Sequence, residues 1–200
     1  ECFTHPMYRW FFVAYALCFA AFVPVNLFSL FFAQSLDISF DAYGKYLAIT
    51  FSISLVISYG LGSLADRFHP LRMGMVTIGV YGALAIWAGF FMRSEALFAV
   101  GFIAHGVLSG TFMTTTASIG QRIFPKDRFA QFFSALTLVM SLGTAVVPMV
   151  TGYILDVSDH EYRYIFLCSG VLALTGLALF FVVNAKFKKL GGVKSYEAPL

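Results

Sequence analysis

One group able to donate, accept or carry a proton lies deep inside an apolar stretch: His105, within Ala96–Gln121. Asp, Glu, Lys, Arg and other His residues are absent from that stretch and from five others like it: Trp10–Gln34, Tyr46–Ala65, Met73–Met92, Phe129–Leu155 and Tyr164–Ala185. An ionisable side chain in such surroundings is a functional candidate by default. The plainer reading is a neutral imidazole that bonds a neighbouring helix and glues the bundle. Asn26 is its natural counterpart. If both stretches are helices crossing in opposite directions, His105 lies three residues, about 4.5 Å, from the midpoint near Leu108. Asn26 lies four residues, about 6 Å, from the midpoint near Phe22, on the same side. The two therefore share a depth. Ser109, Phe112 and Thr116 continue the His105 stripe at i+4, i+7 and i+11. This gives a candidate solute-binding set of Asn26, His105, Ser109 and Thr116. The Thr114-Thr115-Thr116 run is largely self-satisfied, because helical Thr hydroxyls bond the i−4 carbonyl.

A second group with possible chemistry lies in a charged turn, Gly62-Ser63-Leu64-Ala65-Asp66-Arg67-Phe68-His69-Pro70-Leu71-Arg72. Asp66 falls at the C-terminal end of a helix, where the macrodipole is negative, so it needs a partner elsewhere. Arg128, or the free N–H groups of the helix that starts beside it, would serve. A latch built from Gly62, Asp66, Arg67, Arg72 and Arg128 is one reading. A solvated loop whose bases only set topology is the other. In the fifth stretch, Pro148 removes a helical hydrogen bond and should bend the helix. Gly143 and Gly152 there allow close packing. Ser54, Ser58 and Gly62, and Gly106 with Gly110, read as packing seams.

The rest of the chemistry is excluded by what the sequence lacks. No acid lies in any of the six stretches. Cys2, Cys18 and Cys168 form no CxxC or His/Cys cluster, so no metal is expected. Nothing resembles a nucleophile–base pair or a phosphate loop, so neither a catalytic residue nor a cofactor is expected. A net charge of +3 is too small to suggest a nucleic-acid partner.

The elements that carry these residues follow from composition. Hydrophobic residues make up 60% of the 200 residues and charged ones 12%. A soluble chain this short cannot bury so much apolar surface. The six stretches are 25, 20, 20, 26, 27 and 22 residues long, and about 20 suffice for a helix to cross a bilayer. The reading is an all-α membrane protein with six transmembrane helices (about 10–34, 46–65, 73–92, 96–121, 129–155 and 164–185) and a basic tail over 186–200. Ten of the 13 Lys and Arg residues fall on the side holding both termini, which places that side in the cytoplasm. Tyr8 and Trp10 should mark the inner interface. The tail, with Gly191-Gly192, reads as solvated.

The charged turn also resembles the loop between helices 2 and 3 of the major facilitator superfamily, G-x-L-A-D-R-x-G-R-[RK]. Gly62, Leu64, Ala65, Asp66 and Arg67 match in order, while His69, Pro70 and Leu71 depart. Gly143, Pro148 and Gly152 resemble the family's helix-5 signature, G-x-x-x-G-P-x-x-G-G, with Val147 and Thr151 in place of two glycines. The resemblance implies one six-helix half of a twelve-helix bundle, itself a 3+3 inverted repeat, with helices 1 and 4 lining a central cavity. The C-terminal half is the better match. Ala104-His105-Gly106-Val107-Leu108-Ser109-Gly110 lacks the helix-4 Arg, the loop motif is degenerate, and the first residue is Glu rather than Met.

The function expected from this resemblance is secondary transport of a small polar or amphipathic solute by alternating access. The expected location is the plasma (inner) membrane. The partners implied are that solute, the lipid bilayer and the missing six-helix half. A membrane scaffold or assembly subunit, and less so an integral membrane enzyme, are the alternatives.

Overall fold

The computed structural model describes residues 2–199. Six helical passages stand over the six apolar stretches, each long and apolar enough to cross a membrane. The first passage is two helices, α1 (Pro6–Ala20) and α2 (Val23–Ser35). Then come α3 (Phe40–Phe68) and α4 (Pro70–Phe91). The fourth passage is α5 (Glu95–Thr116) followed by the short α6 (Ile119–Ile123). A 3-10 turn at Lys126–Arg128 leads into α7 (Phe129–Val157). The last passage is α8 (Tyr164–Lys189), and a final turn, α9 (Gly192–Ser195), follows it.

Helix starts follow local chemistry. The Ser39 hydroxyl accepts from the Ala42 N–H, and Ser94 accepts from Leu97. Asp41 and Glu95 sit in the first turns behind them, where the dipole favours acids. These caps carry α3 out past the predicted apolar limit, so that Asp41 and Lys45 become an i,i+4 ion pair at 2.6 Å.

Two predicted passages are broken where continuous helices are expected. The first breaks at Ala21-Phe22, because Pro24 has no N–H to continue the ladder. The fourth breaks at Ala117-Ser118, before the short α6 that carries Arg122. By contrast, α7 runs unbroken through Pro148.

The core forms where small residues let helices close. A methyl group at Gly176 of α8 would lie 3.1 Å from the Cys18 nitrogen and 3.3 Å from the Ala14 carbonyl of α1, so these backbones touch directly. Gly106 meets Thr50, and Gly110 lies against Ser54, so α5 packs on α3 through its two glycines. Gly143 and Gly152 are less tightly placed. An added Cβ would meet Ala20 at 3.6 Å and Phe28 at 4.0 Å, both ordinary contacts. Gly62 meets nothing within 4 Å.

The core itself is aromatic. Tyr8, Phe11, Phe12, Phe124 and Phe132 pack together at one end. Tyr8 is fully buried there. The third and sixth passages and the first are well buried, whereas α3 and α7 show long apolar faces. Tyr59 on α3 is 94% exposed, and Met149 on α7 is 75% exposed.

Candidate functional site

His105 and Asn26, matched in depth by the sequence, touch. His105 Nε2 lies 3.0 Å from Asn26 Oδ1. The other ring nitrogen, Nδ1, lies 3.0 Å from the hydroxyl of Tyr81 on α4. Tyr81 also stands 3.3 Å from the Ala21 carbonyl, in the break between α1 and α2. Phe22, Phe102 and Phe166 surround the imidazole, with Phe102 almost parallel to it. The result is a polar line across the first, third and fourth passages, packed in aromatic rings.

Exposure separates the four candidate residues. His105 is 1% exposed and lies inside this bundle. Asn26 is exposed. Ser109 is half-buried, and its hydroxyl donates to the Gly106 carbonyl at 2.9 Å. Thr116 is buried, donates to the Phe112 carbonyl at 2.7 Å, and lies 3.1 Å from the Tyr15 hydroxyl. Of the set, Asn26 alone is an exposed residue. Tyr81 and Tyr15 are partners the sequence analysis missed. A tyrosine in an apolar span is itself a signal, because a buried phenol needs a partner for its O–H.

The charged turn contains an ion pair, though with a different partner from the one expected. Asp66 Oδ1 lies 3.6 Å from Arg122 Nη2 on α6. Arg128 instead pairs with its neighbour Asp127 at 3.7 Å. Arg122, on α6, is the base that stands beside the C-terminal end of α3, where Asp66 lies. Both members are more than half exposed. Arg67 lies over the ring of its neighbour Phe68.

His69 sits where the family signature has glycine, and its backbone shows why. Its φ is 75°, a region that L residues rarely adopt. The imidazole compensates in part by capping α4. Its Nδ1 accepts from the Leu71 N–H at 3.3 Å, and its ring packs on Phe187 at 4.9 Å. Burial, then the Arg122 and Arg72 guanidiniums, hold it at about 4, below the usual value for histidine. A histidine depressed in the folded state binds its proton more readily when unfolded. Its stabilising contribution is therefore complete above about pH 6.5 and is lost as pH falls towards 4. Thermal unfolding in detergent should show this loss over that window. His69→Asn, which tolerates positive φ and still caps, should flatten the profile.

The tail is not free. Beyond α8 it turns back over the same end of the bundle. The Tyr196 hydroxyl donates to the Ile123 carbonyl at 2.8 Å, and Tyr8 donates to the Pro199 carbonyl at 3.0 Å. The Tyr196 ring packs on Phe187 at 4.8 Å. A cavity of about 240 Å³ remains between this strap and the charged turn, lined by Asp66, His69, Arg122 and Ser195 among others. Ile123 ends α6, so its carbonyl lacks a helical partner and is available to the strap. Residue 200, also assigned to the tail, lies outside the described residues. Among the described residues no group of three or more His, Cys, Asp or Glu could hold a metal.

A six-passage, all-helical bundle with a polar line at mid-depth and an acid–base turn at one end defines a multi-pass membrane protein. The Major Facilitator Superfamily profile matches residues 10–197, and the chain belongs to that family. It is similar to the MFS transporter asaE of Aspergillus flavus, 23% identical over 175 residues, which cover 88% of this chain and 39% of that protein. It is also similar to the uncharacterised MFS-type transporter Rv1250 of Mycobacterium tuberculosis, 28% identical over 118 residues, covering 59% and 20%. The crystal structure of a bacterial homologue of the iron transporter ferroportin, in its outward-facing state, shares the fold. Its TM-score is 0.74 at 18% identity, covering 92% of this chain and 46% of that one. The chain thus spans less than half the length of each of these relatives.

Proposed function

We propose that this chain is one six-helix half, of the C-terminal type, of a twelve-helix transporter that moves a small polar or amphipathic solute by alternating access. The observation that carries this reading is the unequal burial of the passages. The first, third and sixth pack on one another, while α3 and α7 leave long apolar faces uncovered within this bundle. Helices 40–68 and 129–157 would then bear the contacts with the second half. Asn26, exposed yet tethered to the core, would reach the space between the halves. His105 and Thr116 would act from behind the surface, and Ser109 from its edge. The Asp66–Arg122 pair would belong to the cytoplasmic latch, with Arg67, Arg72 and Arg128 adding positive charge beside it.

A scaffold subunit would need neither an exposed amide held by a buried histidine nor an acid–base pair at the bundle end. A membrane enzyme would need clustered acids, His or Ser at an interface, and among the described residues of the six apolar stretches His105 is the one such titratable group.

Topology gives the direct test. With the basic side inward, in the plasma membrane, cysteines placed at Asp37, Glu95 and Asp159 should react with an impermeant thiol reagent applied to intact cells. Cysteines at Asp66 and Asp127 should react only after permeabilisation. The opposite pattern would reverse the orientation and remove the latch from the cytoplasm.

A further inference from the structure

We propose that Tyr81 and His105 form a positioning relay that turns the N–H groups of the Asn26 carboxamide outward. The site then recognises its solute through a hydrogen-bond acceptor such as a carboxylate or carbonyl. That the recognised group belongs to a transported solute rests on the reading above; the wiring does not.

Tyr81 has one hydroxyl proton, and its two measured partners lie beside a third polar neighbour, the buried Ser169 hydroxyl, which can itself donate to the phenol oxygen. His105 Nδ1 is at 3.0 Å and the Ala21 carbonyl at 3.3 Å. The proton serves the nearer one. Nδ1 then accepts, so the ring proton of a neutral imidazole resides on Nε2. Nε2–H donates to Asn26 Oδ1 at 3.0 Å. The amide oxygen is thereby tied inward, and the amide nitrogen, with two donors, is left on an exposed residue.

The ring cannot easily swing out of this line. His105 is 1% exposed, with Phe22, Phe102 and Phe166 at centroid distances of 6.2, 6.5 and 6.3 Å. Reversing the line would reverse the chemistry. If Tyr81 donated to Ala21, Nδ1–H would donate to Tyr81, Nε2 would accept from the amide nitrogen, and the Asn26 oxygen would face outward. A proton two residues back thus decides whether the surface offers donors or an acceptor. A site that presents fixed donors discriminates strongly against a partner lacking the matching acceptor.

The test uses the full-length transporter in nanodiscs, labelled with ¹⁵N at histidine and asparagine, without solute. His105→Gln and Asn26→Leu spectra assign the signals by loss. In the unmodified protein, His105 Nδ1 should resonate as an unprotonated ring nitrogen and Nε2 as a protonated one. Tyr81→Phe should move the two shifts towards each other, a change that a purely space-filling Tyr81 would not produce. A protonated Nδ1 in the unmodified protein, or an unchanged pattern in Tyr81→Phe, overturns the relay. Acetate, as the simplest carboxylate, should shift the Asn26 side-chain amide signals more than methylammonium or sodium chloride at equal ionic strength. No shift, or a larger one with methylammonium, overturns the donor assignment. Because no transport is measured, failure of the wiring leaves the transport reading intact. Failed transport equally leaves the wiring standing.

Discussion

His105→Ala is expected to destabilise the protein by about 3–5 kcal/mol, the range for removing a large ring from a packed core. The side chain is 1% exposed and surrounded by aromatic rings. Its removal leaves both a cavity and a Tyr81 hydroxyl with one acceptor fewer. If the histidine itself lined the solute path, stability would be spared and affinity lost; burial reverses that order. His105→Phe separates the two effects. It refills the cavity, and Tyr81 can still donate to the Ala21 carbonyl, so stability should fall by only about 1–2 kcal/mol. Asn26 loses its tether all the same, and solute uptake should drop by about tenfold or more, equivalent to about 1.4 kcal/mol. Detergent unfolding curves measured beside uptake in proteoliposomes give both numbers. Uptake retained in a folded His105→Phe protein would remove the tether from the mechanism.

Asp66→Asn should show the complementary split. Its ion pair with Arg122 is exposed and long, at 3.6 Å, and such pairs contribute at most about 1 kcal/mol to stability. The unfolding temperature should hardly move. Transport should nevertheless slow by about fivefold or more, the lower end of coupling free energies between conformational states. The reason is that a latch acts on the balance between two states, to which a small energy matters. If the pair is the relevant contact, Arg122→Gln should reproduce the effect. The double variant should then be no worse than either single one, because the interaction can be lost only once. Additive losses would mean that Asp66 and Arg122 act on different partners.

The parts legible in the sequence are those fixed by one-dimensional rules. Charges mark where passages begin and end, and rise per residue gives depth, so Asn26 and His105 could be matched before any contact was known. Residues four apart marked Gly106 and Gly110 as a packing seam, though not that α3 fills it. What escaped depended on breaks and returns of the chain. Pro24 signals the interruption that presents the Ala21 carbonyl to Tyr81, yet an apolar run of 25 residues reads as a single helix. The short α6 assigns Asp66 to Arg122 rather than Arg128, and no periodicity distinguishes those two bases. The strap was illegible because Tyr196 bonds a backbone carbonyl 73 residues away, and a carbonyl carries no side-chain signature. His69 lay in plain view as a departure from glycine. Only its positive φ shows that the departure is strained and capped.

The claim that this bundle is one moving half of a transporter is tested most directly by distances between the halves. In the full-length protein, spin labels would be placed at Asp159 on this half and on an outer loop of the other, and in a second sample at Arg67 and an inner loop of the other. Pulsed dipolar spectroscopy should give two populations in each sample. The outer distance should be long where the inner one is short, and Asp66→Asn should shift both populations together. A single distance in each sample, unchanged by solute and by Asp66→Asn, would contradict alternating access and favour a static membrane scaffold.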